Sequence, residues 1–223
     1  MTTLRIGEQR PDTPVFGVSH FRIVPQTATG VSLSSQEFTD LELQAGHFTG
    51  SSSPVTTNGD GDLWAVMAGV TTTAADYAGA TYQFAPGLSG SLYGARFKDI
   101  WDQYYANLDS QIELAAGRQL GLGLNLYQTN QSGQAKAGEI DNLALDRYAL
   151  PGLSLMTRYV SGAGIDGSQI AAGSPYAGRY GDDGRHQELN VELRYVVQSG
   201  PARGLSVRAR QAWHRANKDQ GSG

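Results

Sequence analysis

Leu120-Gly121-Leu122-Gly123-Leu124-Asn125-Leu126-Tyr127 puts leucine at every even position, with Gly, Gly, Asn and Tyr between. A repeat of two over eight residues is the mark of a strand with one apolar face, because successive side chains leave a strand on opposite sides. The same pattern returns in Leu189-Asn190-Val191-Glu192-Leu193-Arg194-Tyr195-Val196-Val197-Gln198, where the odd positions are apolar and the even ones mostly polar. It recurs in Leu205-Ser206-Val207-Arg208-Ala209-Arg210-Gln211-Ala212-Trp213-His214 and, more loosely, in Leu153-Ser154-Leu155-Met156-Thr157-Arg158-Tyr159. No stretch carries the 3.6-residue spacing of an amphipathic helix. The fold class read from the sequence is all-β.

The turns repeat as well. Ala85-Pro86-Gly87-Leu88-Ser89, Leu150-Pro151-Gly152-Leu153-Ser154 and Pro201-Ala202-Arg203-Gly204-Leu205-Ser206 each open an alternating strand after a Pro and a Gly. Proline presets one turn dihedral and glycine supplies positive φ, so these are tight reversals. Between them lie longer polar segments such as 162–185, with Asp166-Gly167 and Asp182-Asp183-Gly184. Tight turns at one end and long loops at the other is the asymmetry of an antiparallel transmembrane β-barrel. Counting strands along the chain gives about 11 to 12.

Composition fits that class. The chain has 223 residues, 39% hydrophobic and 17% charged, with a net charge of −4, 29 glycines and no cysteine. A mildly acidic balance argues against a nucleic-acid partner, which favours basic patches. Without cysteine there is no disulfide framework, thiolate nucleophile or thiolate metal ligand. Mean hydropathy is −0.35, and no run approaches the roughly 18 apolar residues of a membrane helix. Neither number excludes a barrel, in which only alternate strand residues meet lipid. Met1-Thr2-Thr3-Leu4-Arg5 has no charged and apolar leader, so the reading expects a cytoplasmic protein or a mature or trimmed chain.

Direction bookkeeping makes 49–75 one long loop, although Leu63 to Val70 is apolar. A long loop with apolar content, in this position, is expected to fold back into the barrel and narrow it. The competing reading makes Leu63–Val70 a wall strand and shifts the parity by one.

Parity also assigns the wall. On the last strand Leu205, Val207, Ala209 and Trp213 share a face, and Arg208, Arg210 and His214 take the other. Its neighbour puts Glu192, Arg194 and Gln198 opposite Leu189, Val191, Leu193, Tyr195 and Val197, and Arg158 falls opposite Leu155 and Tyr159. An arginine on the lipid face near mid-membrane costs roughly 2–4 kcal/mol, so Arg158, Arg194, Arg208 and Arg210 belong to the lumen. Arg96 and Lys98 are weaker lumen candidates, because Tyr93 and Phe97 compete with Leu88 and Leu92 to define the outer face. A wall of fixed positive charge raises the local concentration of anions. The alternative is that these arginines merely neutralise lumen acids such as Glu192 and Glu42.

Other chemistry finds little support. Asn58-Gly59-Asp60-Gly61-Asp62 resembles half of a calcium loop but lacks its distal Glu, so turn chemistry is expected there. His20, His47, His186 and His214 are not at zinc spacing, and no G-x-S-x-G elbow occurs. No catalytic residue, metal or cofactor is assigned.

Several long motifs resemble the OprD (Occ) family of Gram-negative outer-membrane porins. They are Gly7-Glu8-Gln9-Arg10-Pro11-Asp12-Thr13-Pro14-Val15-Phe16, Val24-Pro25-Gln26-Thr27, Glu42-Leu43-Gln44-Ala45-Gly46-His47-Phe48-Thr49 and Gly133-Gln134-Ala135-Lys136-Ala137-Gly138-Glu139-Ile140, followed by the nearly continuous Tyr195–Ala202 and Arg210–Asn217. The resemblance implies an 18-stranded barrel in the outer membrane, often in loose homotrimers, passing small carboxylate-bearing solutes by diffusion without enzymatic chemistry. It implies inward-folded constriction loops, contact with outer-membrane lipid, and a basic ladder on the wall, which the four arginines resemble. Set against the family, the chain reads as one barrel domain over 1–223 that begins inside an early strand and lacks the closing strand. It also lacks roughly sixty family residues after Asn142. The rival readings are a barrel fragment that does not conduct and a soluble or surface all-β protein or hydrolase.

Overall fold

A computed structural model of the chain describes residues 1–18, 26–52, 59–65, 69–114, 118–149, 153–163, 186–196, 200–202 and 204–216. These form thirteen strands and no helix: β1 Thr2–Gln9, β2 Ala28–Ser35, β3 Leu41–Ser51, β4 Leu63–Ala65, β5 Val70–Thr72, β6 Ala75–Ala85, β7 Leu88–Phe97, β8 Trp101–Leu114, β9 Arg118–Gln131, β10 Asp141–Ala149, β11 Leu153–Ala163, β12 His186–Val196 and β13 Ser206–Ala216. Eleven of them make one sheet in the order β1-β2-β3-β6-β7-β8-β9-β10-β11-β12-β13. Every neighbouring pair is antiparallel, as short connections between sequential strands require. Direction therefore alternates along the sheet, and β1 and β13 at its two ends run the same way. Among the described residues no ladder joins these two edges.

The wall passes directly from β3 to β6, pairing Leu41 with Tyr82 and Phe48 with Ala75. Between them, among the described residues, 59–65 and 69–74 lie outside this sheet, and β4 and β5 pair with each other in a two-stranded sheet. Leu63–Ala65 and Val70–Thr72 are thus strands, but not strands of the wall.

The register sorts the two faces. One face carries Leu4 and Ile6 (β1), Val31 and Leu33 (β2), Leu43 and Ala45 (β3), Ala78 and Ala80 (β6), Leu92 (β7), Ala106 and Leu108 (β8), and Leu124 and Leu126 (β9). It continues through Leu145, Tyr159, Leu189 and Trp213 on the last four strands, with Arg147 set into it at the position opposite Leu124 and Thr157. Its large side chains stay open, with Leu92 67%, Leu108 46% and Val207 61% exposed. A contiguous apolar surface of this extent marks a partner or a membrane. On β8 the apolar stretch lies between Asp102 and Ile112, ten residues on, about 33 Å along the strand. Tilted as barrel strands are, that is a band about 25 Å tall, the height of the apolar belt of outer-membrane barrels.

The connections differ by end. At the end of the tight turns, β6 and β7 are joined by Pro86 and Gly87 alone. Gly87 has φ of +77°, and a side chain there would run into the Gln111 carbonyl of β8. Its own carbonyl accepts from Gln111 N at 2.6 Å. Only glycine satisfies both conditions. At the other end lie the described parts of the longer connections, 10–18 with 26–27, 59–65 with 69–74, and 132–140.

Candidate functional site

The face opposite the leucines is the candidate lumen surface, and it is layered. Nearest the long connections it is aromatic. Phe48, Tyr77, Phe97 and Trp101 come from β3, β6, β7 and β8, all buried, with Phe48 stacked on Tyr77 at 6.1 Å and Phe97 against Trp101 at 4.9 Å. Val15, Phe16 and Val18 from the first connection, Leu63 and Ala65 from β4, Ile100, and Ile140 join them in one buried cluster. The β7–β8 turn and the 132–140 connection are tied together beside it: Lys136 N donates to Asp99 O at 2.9 Å and Ser132 N to Ile100 O at 3.1 Å. An inward-packed cluster beneath the loops needs several connections to converge, so no single stretch of sequence announces it.

Further along the strands this face becomes polar. Thr81 Oγ1 lies 2.9 Å from Ser91 Oγ. Tyr105 Oη donates to Asn125 Oδ1 at 2.6 Å, and Asn107 Nδ2 donates to the same oxygen at 3.0 Å. Gln44 Nε2 donates to Glu42 Oε1 at 2.7 Å. Tyr93, Tyr105 and Tyr127 stand directly opposite one another across β7, β8 and β9. The Tyr93 ring crosses over Gly79 of β6, where any Cβ would collide with it.

Continuing the same face through the register brings the basic positions together. Asn125 is opposite Asp146, Asp146 opposite Arg158, and Arg158 opposite Asn190. On the last two strands Glu192 is opposite Arg210, and Arg194 opposite Arg208. Arg158, Glu192, Arg194, Arg208 and Arg210 therefore hold positions on one face of three consecutive strands. Two of the four arginine positions face an acid. The other two face each other. Glu42 lies on β3, remote in the sheet order from all of them.

Arg96 and Lys98 fall elsewhere. Arg96 is on the apolar face, in register with Asp76 and Asp102, and its Nε and Nη2 donate to the two Asp102 carboxylate oxygens at 2.7 and 3.2 Å. Tyr93 and Phe97 are the inward residues of β7. They are buried because the aromatic cluster occupies this end of the inner face, so both faces of β7 are apolar and parity alone misassigns it. Lys98 is an exposed residue of the β7–β8 turn, held by its backbone N donating to Ala74 O at 3.0 Å.

Arg96 is one member of a polar row the sequence reading did not find. His47, Asp76, Arg96, Asp102, Asn130 and Asp141 are successive register partners across β3, β6, β7, β8, β9 and β10. His47 Nδ1 is 2.6 Å from Asp76 Oδ1, and Asn130 Nδ2 donates to Asp141 Oδ1 at 3.1 Å. The row borders the apolar band on the side of the long connections.

Comparison with known proteins agrees with this geometry. The model of a family described as outer membrane porin, OprD family, matches residues 1–149 and 143–223. The two matched segments overlap at 143–149. Porin D of Pseudomonas aeruginosa is 38% identical over 295 aligned positions that take in 100% of this chain and 66% of its own length. The chain spans about two thirds of the length of the curated relatives it matches, 66% and 65%. Among solved structures, P. aeruginosa OpdK with vanillate superposes with a TM-score of 0.70 at 26% identity, covering 98% of this chain and 72% of that one. P. aeruginosa OccK2 (OpdF) in complex with glucuronate superposes with a TM-score of 0.65 at 25% identity, covering 96% and 72%.

Proposed function

The chain belongs to the OprD family of outer membrane porins, and from that premise we propose that it is a passive channel for small carboxylate-bearing solutes. Family members are outer-membrane proteins, which sets the compartment, and porins are channels without enzymatic activity. In this reading lipid covers the apolar face, loose trimers assemble in the membrane, and solutes move along the polar face.

The observation that carries the solute class is the Arg194–Arg208 pair. Like charges directly opposite across two strands destabilise a sheet. An anion between them offsets that cost, and guanidinium forks suit a carboxylate. Arg158 and Arg210 lie within the same stretch of wall and extend the track. Two structural relatives are described with vanillate and glucuronate, both carboxylates, which supports the class without naming the solute. The buried cluster beneath the long connections, with the 49–75 segment contributing Leu63 and Ala65, is the proposed constriction.

Swelling of vesicles containing the chain tests this. Entry of glucuronate or vanillate should outpace that of a neutral solute of similar size, and equal rates would remove the anion track from the account. A second reading is favoured by the sheet order itself. With β1 and β13 running the same way, all-antiparallel closure takes an odd number of further strands, so these eleven alone would form an open, non-conducting wall. Vesicles that do not swell with any solute would support it.

A further inference from the structure

We infer that the Asp12–Gly17 turn of the first inter-strand connection is a strut that seats the β4–β5 hairpin against the inner wall, with Phe16 as its positioning residue. The inference rests on the channel reading for its consequence, the width of the lumen, but not for its geometry.

The strut is built to be stiff. Asp12 and Gly17 form an isolated bridge. Between them Thr13 N donates to Phe16 O at 3.0 Å, Thr13 Oγ1 accepts from Phe16 N at 2.9 Å, and the hydroxyl is also 3.0 Å from Phe16 O. Pro14 fixes one dihedral of the same turn. The tip therefore presents Phe16 with little conformational entropy left to lose.

The tip is also well anchored. Phe16 is 5% exposed and meets three rings edge-on: Phe48 at 5.1 Å, Phe97 at 5.2 Å and Tyr77 at 6.1 Å. Edge-to-face aromatic contacts at these separations are attractive beyond the area they bury. Val15 and Val18 flank it, fully or nearly buried.

The hairpin, by contrast, cannot hold itself. β4 and β5 have three residues each, and an isolated two-stranded hairpin is marginal in water even when longer. Its place depends on what it packs against. Leu63 and Ala65 share the buried cluster with Phe16. The far end of the same connection and the start of β2 grip the stem of the long segment: Thr27 N donates to Ser52 Oγ at 2.9 Å, Ser52 N donates to Thr27 O at 3.1 Å, and Thr29 Oγ1 of β2 donates to Gly59 O. The first connection thus touches the long segment at both its base and its packed core.

The chain has no cysteine, so a single introduced thiol reports without background. In the full chain, Ala65→Cys places a small thiol at a buried hairpin position, and Phe38→Cys places one at the opposite, exposed turn as a control. Labelling by an impermeant maleimide should be slow at position 65 and become about tenfold faster when Phe16→Ala is added, as local opening is favoured. Labelling at position 38 should not change. Phe16→Leu should restore most of the protection, and Thr13→Val, which loosens the tip but keeps the ring, should give an intermediate rate. Should Phe16→Ala fail to insert, the Phe16→Leu and Thr13→Val chains make the same comparison. Position 65 labelling at the parental rate in every variant that folds would overturn the inference. Single-channel conductance, recorded in parallel, should rise with the labelling rate. Faster labelling in a chain that never conducts would leave the strut standing and refute the channel reading instead.

Discussion

Replacing Leu108 by arginine should destabilise the wall, whereas replacing its neighbour Asn107 should not. The two residues are adjacent on β8 and lie on opposite faces. Leu108 is in register with Gly90 and Leu124 on the apolar side, six residues from the polar row at Asp102 and four from Ile112. At about 3.3 Å per residue and a tilt near 40°, it sits roughly 15 Å below the row and 10 Å above the other edge. That is close to mid-membrane. The cost there is roughly 2–4 kcal/mol, about a 30- to 900-fold loss in the folding equilibrium. Asn107, on the polar face, donates to Asn125 Oδ1 at 3.0 Å and to Leu124 O at 3.3 Å. An arginine at 107 keeps donors for both acceptors. Urea unfolding in lipid vesicles, followed by tryptophan fluorescence, measures both variants against the parent. Equal losses at 107 and 108, or a larger loss at 107, would refute the assignment of faces.

Three further outcomes follow from the same geometry. Arg208→Ala with Arg210→Ala should move the reversal potential under a salt gradient toward cations while heat-modifiable gel migration stays unchanged; an unmoved potential would mean these arginines only balance lumen acids. Deleting the Leu63–Thr72 hairpin should raise single-channel conductance without preventing insertion, and unchanged conductance would place the hairpin outside the pore. Gly79→Ala, which puts a Cβ against the Tyr93 ring, should cost about 1–3 kcal/mol in the same urea assay, and a neutral result would contradict the ring's placement.

What could be read from the sequence depended on whether each strand had one apolar face. β9, β12 and β13 alternate leucine or valine with polar residues, and their faces are legible at once. β7 is not, because Leu88 and Leu92 face one side while Tyr93 and Phe97 are buried on the other beneath the loops. Two apolar faces leave no parity, which is why parity alone could not place Arg96. The aromatic cluster was hidden for another reason. Phe16, Phe48 and the neighbours Phe97 and Trp101 come from separate parts of the chain, and only the register of the strands and the first connection bring them together. The polar row from His47 to Asp141 takes one residue from each of six strands. It shows in no local window, though each member sits at the end of its apolar run. The arginine positions were the easier case, since three strands consecutive in sequence are also consecutive in the sheet.

In the proposed reading these strands wall an outer-membrane pore that favours anions. Single-channel recording of the full chain in planar bilayers, under a gradient of potassium chloride, tests it most directly. The account predicts discrete conductance steps with a reversal potential on the anion side. A bilayer that stays silent at protein levels where a full-length relative inserts, or steps that reverse on the cation side, would contradict it.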